Sequence, residues 1–435
     1  MPGTGGGMEH TGSSYAASRN ILTDYPRLDG DHSCDVVVVG GGFTGVSTTL
    51  FLAERGYDVT LLEANRIGWG ASGRNGGQLI DGFTNTEKFR EKFGNDTAEM
   101  VWQMGVECRD IVVERIEKYD IDCDLKFGYL DVAARGRPAE MRGLEEHLED
   151  RIRHNFPYEM RMIDAAELGE WIRSDAYVAG LSNMGNGHLH PLNLCAGEAR
   201  AAAGLGARLF EQTRVSRVRH GAHPVVETGQ GNVSARKVVL AGNAYLRDTE
   251  PRLRNAIFPA GSYIVATEPL GEQRAHELMP ADVAYCEQCI ALNYFRLSAD
   301  KRLLFGGMCN YSGRHPRNIT TSIRPRLLKI FPDLADVRID YEWGGNIGIS
   351  INRCPQFGRI ENNTYFVQGY SGHGLAPAHL AGKLLADAVC GDAEQFDVFA
   401  RIKHLALPGG KWFAGPAVAL GMSYFRLREL LGLRQ

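Results

Sequence analysis

The sharpest hydrophobic pattern in the chain lies near its start. Residues 36–39 are four consecutive valines, closed by Gly40-Gly41-Gly42. An apolar stretch of helical length follows over 44–55, and a second short run over 58–62 ends at Glu63. Short apolar runs bounded by glycine suit buried strands, so the segment reads as a β-α-β unit. It carries G-x-G-x-x-G at Gly40, Gly42 and Gly45. Gly40 permits the tight strand-to-helix turn, Gly42 lets a pyrophosphate approach the backbone, and Gly45 lets the helix pack close to the strand. The helix N-terminus offers N–H groups and a partial positive charge to phosphates. Glu63 falls where a carboxylate would bind ribose hydroxyls, which favours FAD or NAD over NADP.

Further along, the pattern alternates between helix and strand. Residues 68–78, GWGASGRNGGQ, hold five glycines in eleven positions and can form no regular element. Their place just after Glu63 suggests a second cofactor contact. Helical spacing over 95–119 and 138–154, with strand and turn over 123–133 between, reads as the wall of a substrate lobe. In 187–198, His188 and His190 resemble a metal pair but have no third ligand nearby. Pro191 and Asn193 instead suggest a turn that starts a helix, with a pocket-lining His190 as the alternative. Short strands follow at 207–210, 213–218, 225–228 and 232–240, with a hairpin loop at 229–231. The last of these ends in Ala241-Gly242-Asn243, a second glycine edge suited to a cofactor.

Residues 258–331 read as a second sheet rich in aromatic residues. Tyr263, Tyr294 and Phe295 could line a pocket there, although core packing is the default for each. A helix over 322–331 would be capped by Ser322. Finally, 338–390 holds a strand ending in Trp343-Gly344-Gly345, then a strand, a glycine turn and an apolar helix. His373 sits between glycines at that helix N-terminus.

Composition narrows the class. The chain has 435 residues, 23% of them charged, with a formal net charge of −4 and no basic stripe, which argues against nucleic-acid binding. No apolar run reaches eighteen residues, so a membrane span is not expected. An odd number of cysteines, nine, and no secretory signal suggest reduced thiols in the cytoplasm. The lone C-x-x-C at Cys286 and Cys289 lacks partners at metal-ligand spacing. Residues 1–32 read as a flexible lead-in. The tail over 412–433 reads as a docked helix, or one lying on a membrane surface.

Three glycine-rich segments, GGGFTG, GWGASGRNGGQ and GYSGHG, together resemble the D-amino-acid-oxidase-like family of FAD-dependent amine oxidoreductases, over residues 33–395. The resemblance implies an α/β fold: a Rossmann-like, glutathione-reductase-like FAD lobe (33–85, 187–245 and 338–395) and a mixed-sheet substrate lobe (86–186 and 246–337), with a tail from 396. It implies non-covalent FAD. Gly40, Gly42 and Gly45, with Thr44, would hold the pyrophosphate, and Glu63, with Ala64, the adenosine ribose. Gly70, Ala71, Ser72, Asn75, Gly76, Gly77 and Gln78 would run beside the phosphates and the flavin. Val215 would meet adenine, with Ala241 and Gly242 nearby, and Gly344 would be a further contact. Gly372, His373 and Gly374 would set a helix N-terminus against the flavin's pyrimidine edge.

Two departures bear on substrate. Amino-acid oxidases of this family often carry W-x-G-x-R-P, where the arginine clamps a carboxylate; here WGGNIG puts Ile347 at that position. The lysine that sarcosine oxidase uses after its G-H-G is Ala376 here, and the place of its flavin-linking cysteine is Gly345. Losing both cations suggests an amine with no carboxylate beside the oxidised carbon, such as a γ-glutamyl amide of a diamine. The segments SYAAS, HPLNL, AGNAYL and PQFGR resemble family members in the same direction. The expected reaction is oxidation of the amine to an aldehyde, with release of ammonia and with oxygen reduced to hydrogen peroxide. A dehydrogenase passing electrons to a quinone is the alternative. His373 is the expected polarising group, with Tyr263, Asn346 and His190 as further pocket residues.

Overall fold

Strand His32–Val39 lies inside an eight-stranded sheet in the computed structural model, which describes residues 9–83, 87–246, 249–289, 292–310 and 315–405. It pairs in parallel with Val59–Leu62 on one side and Asn232–Leu240 on the other. Both faces of the strand are covered. Val36 and Val38 pack toward helices, while Val37 and Val39 pack toward a cluster holding Leu28, Val218 and Val226. Burial on both sides explains the unbroken valine run, since neither face has to be polar. Thr364–Gln368 extends the parallel sheet beyond Asn232–Leu240. The strand Val225–Thr228 pairs antiparallel with Asn232–Leu240, so 229–231 is the hairpin loop its glycines indicate.

Helix Phe43–Glu54 follows the first strand and packs against helices Leu375–Cys390 and Pro191–Gly204. Leu375–Cys390 is buried almost all round, as its uniformly apolar sequence requires.

The second sheet is mixed and runs Ile339–Ser350, Ile257–Thr267, Leu303–Asn310, Asn293–Leu297, Ala284–Glu287, Lys126–Ala134, Tyr177–His188, Gln78–Leu79. On its far face Tyr285, Phe295 and Phe305 stack in sequence, at 5.2 and 5.6 Å between ring centroids. Helix Ile319–Ile330 closes that core through Ile323 and Leu327. The helices read over 95–119 and 138–154 are Asn95–Lys118 and Pro138–Arg153.

Three readings change, and a fourth is decided between its two alternatives. Ile339–Ser350 pairs along its length with Ile257–Thr267, so it belongs to the second sheet and not to the cofactor lobe. Its glycines lie mid-strand rather than at an end. The helix read over 322–331 begins at Ile319, because Asn318 Oδ1 accepts from the Thr321 N–H and caps it a turn earlier than Ser322 would. The described part of the lead-in, from residue 9, is packed and not loose. Tyr15 is 2% exposed, edge-on to Trp343 and His190, and Thr23 donates to the buried Glu211. At His190 the turn that starts a helix is as read, and only the pocket-lining alternative falls: His190 caps the helix, its Nδ1 accepting from the Asn193 N–H and its Nε2 meeting Ser18 Oγ at 3.1 Å. The reading over 412–433 lies outside the described residues.

Candidate active site

The two sheets enclose a cavity of ≈ 1480 Å³. Small-molecule sites usually run to about 300–1,000 Å³, so there is room for a dinucleotide and a substrate together. All three glycine-rich segments reach it.

The first forms one end. Gly40, Gly42 and Thr44 line the cavity. A Cβ at Gly42 would stand 2.8 Å from Ser72 Oγ, and one at Gly40, where φ is +112°, 2.9 Å from the Ala241 carbonyl carbon. Side chains are excluded at both positions, which leaves backbone to face a ligand. Gly45 does not line the cavity. A Cβ there would stand 1.9 Å from Gly40 O, so its task is the close crossing of helix and strand. Gly42 caps its helix without a side chain, and so does Gly374 at the helix Leu375–Cys390. Two helix N-termini therefore reach the cavity; at Gly374 no side chain caps the helix, and at Gly42 Ser72 Oγ takes only the first N–H, which leaves backbone donors for an anionic ligand. Glu63 lines the same end. Its Oε2 accepts from the Gly41 N–H at 2.7 Å and its Oε1 from the Asn65 N–H at 2.8 Å, while burial pushes its carboxyl above the ordinary range. Ala64, Val215, Ala241 and Gly242 stand along this end too.

The second glycine segment is ordered by its own polar groups. Ser72 Oγ accepts from the Phe43 N–H, Asn75 Nδ2 donates to the Ala71 and Ser72 carbonyls, and Asn75 Oδ1 accepts from the Gly77 N–H. Arg74 lies over the Trp69 ring at 4.2 Å and donates to the Trp69 and Gly344 carbonyls. Gly70, Ala71, Ser72, Asn75, Gly76 and Gln78 line the cavity. Gly77 does not; a Cβ there would stand 2.2 Å from Leu189 O.

The third segment supplies Gly372, His373 and Gly374. His373 Nε2 lies 3.0 Å from Gly82 O and 3.2 Å from Asp81 O. Carbonyls only accept, so Nε2 carries the proton and Nδ1 is the acceptor. Burial lowers the pKa of His373 and keeps the ring neutral.

Strand parity overturns two expected pocket residues and one expected contact. Tyr263 and Gly344 pair directly and share a face, with a Cβ at Gly344 only 2.6 Å from the Tyr263 ring. That face is the aromatic core, where Tyr263 bonds His315 Nδ1 at 2.9 Å and burial pushes its phenol up to about 12. Asn346 pairs with Gly261 on this same side, so its side chain also points away from the cavity. Ser262, Gly345, Ile347 and Gly348 are the residues of these strands that line it, and Tyr294 lines it from the next hairpin. Gly345 offers no nucleophile for a covalent link. Ala376 is buried in its helix and stands off the cavity wall. At the far end, Asp81, Asp131, His147 and Arg151 form a polar wall that no motif announces.

The FAD dependent oxidoreductase family (DAO) matches residues 35–388. The chain belongs to this family. Two curated relatives are similar over nearly their whole length. One is the gamma-glutamylputrescine oxidoreductase of Escherichia coli, 45% identical over 98% of this chain and 100% of the relative. The other is the "Probable oxidoreductase OrdL" of Haemophilus influenzae, 40% identical over 97% of this chain and 98% of the relative. Among solved structures, glycine oxidase from Geobacillus kaustophilus superposes with a TM-score of 0.69 at 23% identity, covering 86% of this chain and 100% of that one, and shares the fold. FAD is therefore the cofactor of this oxidoreductase, and the cradle described above fits it.

Glu63 gives the cradle a direct test. Glu63→Ala removes the carboxylate and leaves two N–H groups without their acceptors. FAD affinity is expected to fall ~10–100-fold, the worth of a charged hydrogen-bonding group, measured by titrating FAD into apoprotein. Unchanged affinity would remove Glu63 from the site.

Proposed function

We propose that this enzyme oxidises a γ-glutamyl-linked amine such as γ-glutamylputrescine. The carbon bearing the terminal nitrogen loses two electrons, and water then converts the imine to an aldehyde and ammonia. Oxygen is the final acceptor and leaves as hydrogen peroxide. One observation carries the substrate reading. In a chain 45% identical to a gamma-glutamylputrescine oxidoreductase, the cavity wall beside Gly372 is Ile347, whose Cδ1 would lie 3.5 Å from a Cβ there. An apolar group at that point suits a methylene chain and opposes a carboxylate next to the oxidised carbon.

Bound FAD supplies the two-electron acceptor. The protein's part is positioning. The side-chain-free helix N-terminus at Gly374 favours negative charge developing near it. Neutral His373, anchored through Nε2, offers Nδ1 as an acceptor for an amine N–H. Tyr294 and Ile347 supply walls that keep water from the reacting carbon.

The test is an anaerobic screen of amines with and without a γ-glutamyl group, followed by flavin bleaching, and then oxygen uptake with the best of them. γ-Glutamylputrescine should bleach the flavin faster than putrescine, and air should restore the colour with one peroxide per turnover. Equal bleaching by putrescine overturns the substrate reading. Turnover only with an artificial acceptor overturns oxygen and favours a quinone.

A further inference from the structure

The far wall of the cavity carries two opposite charges whose partners leave one side of each unused. Asp131 stands on the cavity face of strand Lys126–Ala134 and is 9% exposed. Its Oδ1 accepts from Gln288 Nε2, and its Oδ2 has no protein donor among the described residues. Arg151 comes from helix Pro138–Arg153. Asp81 binds its Nη1, His147 Nε2 lies 3.0 Å from its Nε, and the Phe156 ring lies 4.6 Å away under its guanidinium carbon. Its Nη2 has no protein acceptor among the described residues. Asp81 is itself held, since Asn186 Nδ2 donates to its other oxygen and Asn186 Oδ1 accepts from its N–H. The guanidinium is thus locked in place with an edge to spare. Asp131 and Arg151 form no salt bridge with each other.

A buried charge without a counter-charge is costly, which is the case of Asp131, while Arg151, part-buried and paired to Asp81 through one edge, keeps its other edge for a second anion; together on one cavity wall they point to a ligand carrying both charges. Burial pushes the Asp131 carboxyl up to about 7, with Asp81 raising it and Gln288 and Arg151 lowering it, as befits a carboxylate that lacks its cation. Other polar groups lining the cavity here include His147, Tyr129, Asn183, Cys286, Glu287 and Cys289. Glu287 is taken up by Tyr177 and Asn293.

Chemistry then decides which end of the substrate belongs here. An amine gives up hydride from its α-carbon only when its nitrogen is unprotonated. A carboxylate beside that nitrogen would hold it as ammonium and slow the reaction. Asp131 therefore suits an ammonium that is not oxidised, and Arg151 a carboxylate next to it. We propose that Asp131 and Arg151 are the receptor for the α-ammonium and α-carboxylate of an amino-acid head group, remote from the oxidised carbon. This rests on the γ-glutamyl-amine reading and makes both residues specificity-determining.

The test uses holoenzyme and four substrates: γ-glutamylputrescine, N-glutarylputrescine (no α-ammonium), N-(4-aminobutanoyl)putrescine (no α-carboxylate) and putrescine. In the native protein each missing charge should lower kcat/KM ~10–100-fold, mostly through KM. Asp131→Asn keeps an acceptor for Gln288. It should lose the preference for γ-glutamyl over glutaryl substrate while still rejecting the 4-aminobutanoyl one. Arg151→Lys should show the converse, with flavin content confirming that each variant is folded. If γ-glutamylputrescine is preferred but Asp131→Asn still distinguishes the glutaryl analogue as well as the native protein does, the receptor assignment falls alone. If putrescine is as good a substrate as its γ-glutamyl amide, the substrate reading falls with it.

Discussion

Gly45→Val is expected to yield protein that holds no FAD, and little of it soluble. The reason is steric and has no nearby remedy. A Cβ at this position would stand 1.9 Å from Gly40 O and 3.3 Å from Val38 Cγ1. Helix Phe43–Glu54 would have to retreat from strand His32–Val39. It cannot, because helix Leu375–Cys390 presses on its other side so closely that a Cβ at Gly382 would meet Ser47 Cβ at 2.6 Å. Interiors packed this tightly transmit such a clash instead of absorbing it. Any retreat also carries the Gly42 end of the helix away from the cavity. Flavin absorbance per mole of purified protein is the measurement. Gly143→Ala is the control: this exposed helical glycine has open space around its missing Cβ, so alanine should stabilise by about 1 kcal/mol. A soluble, fully yellow Gly45→Val protein would contradict the account.

Gly45 also shows why the first lobe was legible in the sequence. Its β-α-β unit is local: strand, turn, helix and acid lie within thirty-odd residues, and Gly45 answers contacts with Gly40 and Val38 inside that span. The helices Asn95–Lys118 and Pro138–Arg153 were legible for a similar reason, since apolar spacing along one segment states its own period. The substrate side was not. Tyr263 and Asn346 sit on strands whose two faces are both covered, so alternation alone could not say which face meets the cavity. Asp131 and Arg151 are single charges on a strand and on an otherwise polar helix, and in the sequence they look like solvated positions. Only the sheet pairing that sets Asp131 beside Cys286, with the helix bearing Arg151 across the same face, brings them together. The N-terminal strap failed for a third reason. Glycine and serine there suggested looseness, but Tyr15, Ser18 and Thr23 find partners at Arg296, His190 and Glu211, far along the chain.

Arg296 joins that strap to the flavin loop, and Arg296→Ala is expected to cost roughly 3–5 kcal/mol at neutral pH. The side chain is 4% exposed. It donates to the carbonyls of Gly76, Leu189 and Leu297, to the Tyr15 hydroxyl and, at 3.5 Å, to His188 Nδ1, with no carboxylate within ion-pair distance among the described residues. Each buried acceptor left without its donor costs about 1–3 kcal/mol. The loss should depend on pH, because the cation presses on two neighbours. His188 is lowered to about 3 and His190 to about 4, by burial first and by Arg296 second. Both folded values lie below the ordinary 6.5. Unfolded chain therefore binds more protons between 6.5 and about 4, and the stability held above 6.5 drains away as pH falls through that window. Asp131 works the other way, its folded value of about 7 lying above its unfolded one, but it contributes equally to native protein and variant and so cancels in their difference. Without Arg296 the two histidines should rise toward 6.5 and lose less on acidification. The stability gap between native protein and variant, read from urea midpoints at successive pH values, should thus be widest near pH 7 and narrow toward pH 4. A gap that stays constant across the window would mean that burial alone sets both histidines and that the cation acts only through its bonds to the three carbonyls and Tyr15.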